Sequence, residues 1–249
     1  MKKFVPFISL IKKFYVYFQK KNLMNKKEVI SVVISTRKRD DKYVNEIKKI
    51  LSHPKSEVLV YENDNQYSLP ELYNKGLEES KNDIVVFIHD DLIINEKNLT
   101  PKIVKLFNKN PEFGIIGIAG TDKLTSGKWW EHQTCMYGRV GHIQNNRRHV
   151  NKYSKQTFPD VPKEVVIVDG LFMMVHKKRL KHTFNEEFKG FHFYDLPICV
   201  DNFMDGVKIG VTTKFDVTHK SIGEVDKKWE KNKYLFEALY EKNFPLEIN

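Results

Sequence analysis

The chain has 249 residues, of which 41% are apolar, 12% aromatic and 30% charged. That is enough for one sizeable domain with its own core, and too apolar for a disordered chain. Its two cysteines, Cys135 and Cys199, belong to no C-x-x-C pair, which excludes a zinc ribbon or a disulfide scaffold and suits a reducing cytoplasm. The formal net charge is +10, but residues 1–27 hold eight lysines and no acid, so the remaining 222 residues are only +2. A nucleic-acid binder spreads its basic residues over the domain, and no nucleic-acid partner is expected here.

The first 27 residues form a segment of their own. Their apolar run is broken by Lys12 and Lys13 and is too short to span a bilayer, and no small-residue cleavage site comes after it. Phe7, Leu10, Ile11, Phe14, Tyr17 and Phe18 recur at helical spacing, while Ser9, Lys13 and Lys20 share another face. A basic amphipathic helix rich in aromatics suits the surface of an anionic membrane, with residues 1–24 making the contact. A helix packed on the domain with solvated lysines is the alternative. The first reading places the protein in the cytoplasm, peripheral on the inner face of the cell membrane.

From residue 28 onward, strand and helix patterns alternate. Residues 29–36 (VISVVIST) are continuous and β-branched, as expected of a strand buried on both faces. A polar helical stretch comes next, with Ile47, Ile50 and Leu51 on its apolar side. Residues 57–63 predict a second strand, 69–80 a helix, 83–89 a third strand, 97–108 a helix and 114–119 a short strand. This alternation implies βαβ units and an α/β fold with a mixed, mostly parallel central sheet flanked by helices. Residues 121–163 are rich in Trp, His, Arg, Asn and Lys with little periodicity, and are expected to be a loop-rich insertion. Strand pattern returns at 165–169 and 172–176, and a last helix is predicted over 227–242. The simplest organisation is one domain over 28–249 with two functional halves, 28–120 and 121–249.

In open α/β sheets, ligands sit beyond the carboxyl ends of the strands. Those ends here are Thr36-Arg37, Glu62-Asn63-Asp64 and His89-Asp90-Asp91. Two carboxylates directly after an apolar strand are costly unless a cation or hydrogen-bond donors compensate them. Oxygen ligands of this kind suit Mg²⁺ or Mn²⁺; an Asp-Asp pair that merely turns the chain and caps the next element is the plainer alternative. Trp129 and Trp130, beside Glu131 and His132, set aromatic faces next to hydrogen-bonding groups, although tryptophans serve equally as core.

Four segments of the first half carry a family resemblance: VVIST (32–36), the acid Glu62 at the end of the second strand, YNKG (73–76) and FIHDD (87–91). Three more lie in the second half: VDGLFMMVHKKRL (168–180), the stretch from 188 to 211 with Asp195, and DVTHKSIG (216–223). In their order and spacing, over about residues 28–240, they resemble GT-A fold glycosyltransferases, particularly family 2 and its glycosyltransferase-like relatives. The resemblance implies a Rossmann-like GT-A domain and an inverting, metal-dependent transfer from a nucleotide-diphosphate sugar, with UDP the expected nucleotide. The implied acceptor is a hydroxyl of a glycan or lipid-linked molecule in bacterial surface polysaccharide or lipooligosaccharide synthesis. It also implies site roles: Thr36, Arg37, Glu62, Asn74 and Asp90 toward the nucleotide sugar, Asp91 and His219 toward the metal, and Asp195 as catalytic base. With a sugar as acceptor, Trp129 and Trp130 suit an acceptor subsite, because sugars present apolar C–H faces to aromatic rings. The usual Asp-x-Asp triplet is His89-Asp90-Asp91 here, so an imidazole stands where the first carboxylate is expected and the part played by His89, as metal ligand or otherwise, stays open. Two rival readings are a metal-dependent nucleotidyltransferase or phosphohydrolase, which needs a second carboxylate cluster not found near Asp90-Asp91, and a non-catalytic glycan- or membrane-binding module on the same fold.

Overall fold

The computed structural model describes residues 29–248 except 222 and 224. The amphipathic segment assigned to the membrane therefore lies outside the described residues. Among the described residues, no helix is long and apolar enough to cross a membrane.

The first half winds as its pattern predicts. Strand β1 (Ile30–Thr36) is buried along nearly its whole length, and β2 (Glu57–Glu62) and β3 (Ile84–His89) pair parallel to it on either side. Helix α1 (Asp41–Leu51) starts where the Asp40 carboxylate accepts the Lys42 and Tyr43 amides, and it buries Val44, Ile47 and Leu51. Helix α2 (Leu69–Glu79) opens with a Ser68/Glu71 capping box and a proline in its first turn. Gly76 in this helix lies on β1: a Cβ there would stand 2.8 Å from a Val33 methyl. The Asn-x-Gly of YNKG is thus a helix–sheet packing device. After β4 (Leu92–Ile94), helix α3 (Leu99–Lys109) leads into β5 (Phe113–Gly117).

The second half completes the same sheet. β10 (Lys163–Val165), β12 (Phe172–His176) and β13 (Lys208–Val211) enter it to give the order β10-β13-β5-β12-β3-β1-β2. β12 runs antiparallel between β3 and β5, so the sheet is parallel across β3-β1-β2 and mixed beyond. A second sheet gathers the short strands β6 (Ala119–Thr121), β8 (Met136–Gln144), β11 (Ile167–Val168) and β14 (Val217–His219) together with β4; β9 (Arg147–Lys152) pairs with β8, while β7 (Lys123–Leu124) pairs with β15 (Leu246–Glu247). Helices α4 (Asp195–Met204) and α5 (Lys227–Tyr240) close the domain.

One expectation is corrected. The stretch 121–163 is not mainly loop, for it contains the nine-residue strand β8 and its antiparallel partner β9. Every residue of β9 is exposed, and β8 is only partly buried. The exposed β9 therefore needs no apolar alternation, and in β8 two of the buried positions are Gly138 and Gly141, which carry no apolar side chain to mark the period.

The core runs continuously beneath both halves. At its centre Tyr73, Phe87, Phe184 and Tyr194 meet with ring centroids 4.5–5.3 Å apart, joining α2, β3, the 180s loop and the start of α4. Tilted and edge-to-face pairs of this kind add to the gain from area burial. Phe87→Ala empties the middle of this cluster and is expected to lower the unfolding free energy by about 3–5 kcal/mol in urea denaturation, with the variant still folded in water.

Candidate active site

The strand ends build the site in register. His89 is paired with Ser35 of β1, and its amide donates to the Leu171 carbonyl at 3.1 Å. His219 lies opposite Leu92 of β4 on one side and His142 of β8 on the other. The second sheet thereby carries His219 to the end of β3, which it could not reach through the chain alone. His219 Nε2 lies 3.1 Å from Asp91 Oδ1 and 3.4 Å from His89 Nδ1. The far nitrogen of His89, Nε2, is 2.6 Å from the Tyr194 hydroxyl.

The electrostatics result from this crowding. Burial pushes the His89 imidazole down to about 4, helped by the neighbouring His219, against the pull of Asp91. Burial would raise the Asp91 carboxyl, yet hydrogen bonds from His219 and Ser221 outweigh it and hold the group well below the usual carboxylate range. Burial lowers His219, but its hydrogen bond to Asp91 is the larger combined influence with the surrounding carboxylate charges, and the net direction is upward. The result is two imidazoles and an ionised carboxylate that turn their donor atoms toward one another.

Those atoms all lie within 4.8 Å of one another. Two ligands each about 2.1 Å from a common ion are separated by about 3 Å when they subtend a right angle, so the observed spacings fit a shared divalent cation. The Tyr194 contact orients the His89 ring from behind, as partners outside a coordination shell commonly do.

A second acidic centre stands beside the first. Asp195 is the first residue of α4; its Oδ2 accepts the Gly170 amide at 2.9 Å and its Oδ1 the Leu196 amide at 3.0 Å. Asp169 closes the turn before β12, accepting the Leu171 amide at 3.0 Å. Gly170 between them allows a close approach, because a Cβ there would stand 2.3 Å from the Tyr194 ring. Burial and then the Asp169 charge push the Asp195 carboxyl up to about 7, although backbone amides favour its ionised form. Burial also raises Asp169, against its Leu171 hydrogen bond and the nearby His219 and His142.

Two cavities meet at these groups. A cleft of about 570 Å³ is lined by Thr36, Arg37, Asp90, Asp91 and His89. A smaller one, about 210 Å³, is lined by Asp195, Asp169, His219, His142 and an aromatic wall, and His89 and Phe191 line both. Trp129 and Trp130 stand edge to face at 6.0 Å in that wall, with Trp229 5.7 Å from Trp130. Trp129 is 7% exposed and packs, whereas Trp130 at 39% keeps an accessible face.

The expected residues are therefore brought together unequally. His89, Asp90, Asp91, Thr36, Arg37 and His219 converge on the two cavities, and Asp195, Trp129 and Trp130 share the smaller one. Glu62 is exposed next to Thr36 in register but stands outside the cleft lining. Asn74 does not face the cleft: its amide bonds the Phe184 backbone in both directions and Glu186 as well, which ties α2 to the 180s loop. Asp169, Tyr194 and His142 are site residues that the sequence pattern does not single out. Asp169 carries the same signal as Asp90-Asp91, an acid ending an apolar strand; Tyr194 and His142 carry none, because their place depends on long-range packing.

Comparison with known proteins agrees with this geometry. No curated protein matches the sequence. Among solved structures, the fold is similar to that of GalNAc-T7 with UDP, GalNAc and Mn²⁺, with a TM-score of 0.52 and 12% identity over 84% of this chain and 47% of that one. It is also similar to the mannosyltransferase PcManGT from Pyrobaculum calidifontis in complex with GDP-Man and Mn²⁺, with a TM-score of 0.51 and 10% identity over 84% of this chain and 64% of that one. The present chain thus spans about half of the first and less than two thirds of the second, and at these identities the likeness is one of fold, the GT-A fold. The sequence itself matches the model of the glycosyltransferase-like family over residues 29–240, and the chain belongs to that family.

Proposed function

We propose that the protein transfers a sugar from a nucleotide-diphosphate sugar to an acceptor hydroxyl with inversion at the anomeric carbon. The observation that carries this reading is the junction of the two cavities at the His89-Asp91-His219 group: Asp91 lines the larger cleft, His219 lines the smaller one with Asp195, and His89 lines both. Thr36, Arg37 and Asp90 would hold the nucleotide sugar in the larger cleft. Asp195 would take the proton of the attacking hydroxyl as general base, its raised pKa matching that task near neutral pH. Trp130 would offer its exposed face to the acceptor ring.

His89, Asp91 and His219 would hold a divalent cation, which when bound neutralises negative charge on the departing diphosphate. Two imidazole nitrogens in the set favour Mn²⁺ over Mg²⁺, which prefers oxygen ligands and a nearly ideal octahedron. Tyr194 would fix the His89 ring while Ser221 donates to Asp91.

Three expectations test this scheme. Asp195→Asn keeps the side chain's size and one of its two bonds from backbone amides but cannot accept a proton, so the turnover number should fall about 10²- to 10⁴-fold with donor binding unchanged. In the wild type, transfer should be lost as pH falls through about 7, where Asp195 becomes protonated. Asp169→Asn removes the neighbouring negative charge that favours the protonated form, and the limb of the pH–rate profile should move to lower pH; an unmoved limb would separate Asp169 from the base.

The metal assignment has its own measurements. Tyr194→Phe should weaken Mn²⁺ binding, read by calorimetry, about 10- to 100-fold, while Asp91→Asn should abolish it. Unchanged turnover in EDTA would refute the metal role.

Residues 1–24, outside the described structure, are proposed from sequence alone to rest on an anionic membrane beside a glycan or lipid-linked acceptor of surface polysaccharide synthesis. Deleting them should release the protein from anionic vesicles and remove the salt dependence of binding, worth about 1 kcal/mol per lysine, while transfer to a soluble acceptor persists. Equal vesicle binding with and without the segment would argue against this placement.

A further inference from the structure

A third cavity, of about 500 Å³, opens beside the donor-side cleft. None of the residues assigned above to donor, metal or base lines it. Phe191 is its shared wall, and the same residue lines the cleft and the Asp195 cavity, so the three spaces are contiguous around one side chain.

The cavity has a constructed frame. Asn63 is buried and clamps the loop after β2, its Nδ2 donating to the Tyr67 carbonyl at 2.9 Å and its Oδ1 accepting the Tyr67 amide at 3.0 Å. The Leu69 amide donates to the Gly190 carbonyl at 2.8 Å. Asn232 of α5, also buried, donates to the carbonyls of Lys189 and His192, which pins the helix to the opposite wall. From this frame the Tyr67 ring projects 58% exposed into the wall of the cavity. A large aromatic held out on a clamped loop offers a flat apolar face to a ligand, and its ordering cost is already met by the fold.

The charges in the wall leave a positive remainder. Lys189 is paired with Glu71 at 2.9 Å, and Glu71 is further held by Ser68. Asp226, which lies outside the lining, caps α5 by accepting the Trp229 amide at 2.7 Å and lies 3.4 Å from His192. The other charged residues of the lining are Lys228 and Lys231, three residues apart on α5, and Glu187. Among the described residues no carboxylate is ion-paired with either lysine. An exposed aromatic face, side-chain amides from Asn65 and Gln66 and two lysines together suit a sugar ring that bears an anion, since amides and ammonium groups bond its oxygens while the aromatic takes its C–H face.

We propose that this cavity is an acceptor subsite for an acidic sugar residue, carrying a carboxylate or a phosphate, in a glycan whose reacting hydroxyl reaches Asp195 past Phe191. The proposal deepens the glycosyltransferase reading and rests on it. The enzyme would thus select an acceptor longer than one sugar and charged near its reacting end.

The test titrates the full chain with trigalacturonate and with mannose 6-phosphate, using maltotriose and mannose as neutral counterparts and saturation-transfer NMR as the readout. UDP and GDP with Mn²⁺ are titrated in parallel by calorimetry. At least one acidic probe should bind while its neutral counterpart does not; trigalacturonate would identify a carboxylate and mannose 6-phosphate a phosphate. Lys228→Ala/Lys231→Ala should weaken that binding at least about tenfold, as expected for loss of charge-assisted hydrogen bonds. Tyr67→Ala should weaken it too, nucleotide affinity should stay unchanged in both variants, and saturating nucleotide should not displace the probe. Equal binding of neutral sugars, no binding of either acidic probe, unchanged binding in the variants, or displacement by nucleotide would each overturn the subsite. Acidic probes bound as expected by a protein that takes no nucleotide would overturn the transferase reading and not the cavity's preference.

Discussion

The hydrogen bond between Tyr194 and His89 is the contact on which the site depends. It joins the end of the central strand to the residue immediately before Asp195, two points 105 residues apart in sequence. Both side chains lie in a region dry enough to push the imidazole well down and the phenol well up, so an unpaired partner there would carry a desolvation cost of about 1–3 kcal/mol. The aromatic cluster of Tyr73, Phe87, Phe184 and Tyr194 sets the position of the phenol, and Gly170 leaves room for its ring. Core packing thus fixes the distance between the His89-Asp91-His219 group and the acid that opens α4.

Charge is then organised by neighbours. Asp91 and Asp195 are both carboxylates near buried strand ends, yet they are driven in opposite directions. Asp91 is surrounded by donors, His219 and Ser221, and stays ionised. Asp195 has a like charge beside it in Asp169 and less access to water, which favours its proton. Two acids with separated pKa values in one site are what a division of labour between ligand and base requires. The proposed cation ligands and the proposed base can thereby share one region of the fold while differing in protonation.

Phe191 organises the surroundings in a different way. It has no polar atom to contribute, but it forms part of the wall of all three cavities. The loop that carries it is tied to α2 through Gly190 and to α5 through the Asn232 contacts on either side of it. The Asp91-lined cleft, the Asp195 cavity and the lysine-lined cavity are consequently tied together by hydrogen bonds to the backbone of one short segment.

Much of this was legible in one dimension. The β-branched run 29–36, the apolar strand ending at His89-Asp90-Asp91, the capping signals of α2 and the order of the motifs all act within a few residues, and local burial and hydrogen bonding decide them. They determined an α/β domain with acids at strand ends, Asp91 among them, whereas His219 and Asp195 became candidates only through the family resemblance carried by the order of the motifs. The hairpin of β8 and β9 was illegible because β9 is exposed and needs no apolar alternation, while β8 buries glycines at two of its inward positions. Asn74 looked like a pocket residue in its motif, but its amide matches the backbone of Phe184, a partner 110 residues away. Only the tertiary structure decided that His219 lies between β4 and β8, that Asp169 stands against Asp195, and that Tyr194 reaches His89. Each of these depends on strand pairing and ring packing between distant segments, and the energy of such contacts is absent from any local stretch of the chain.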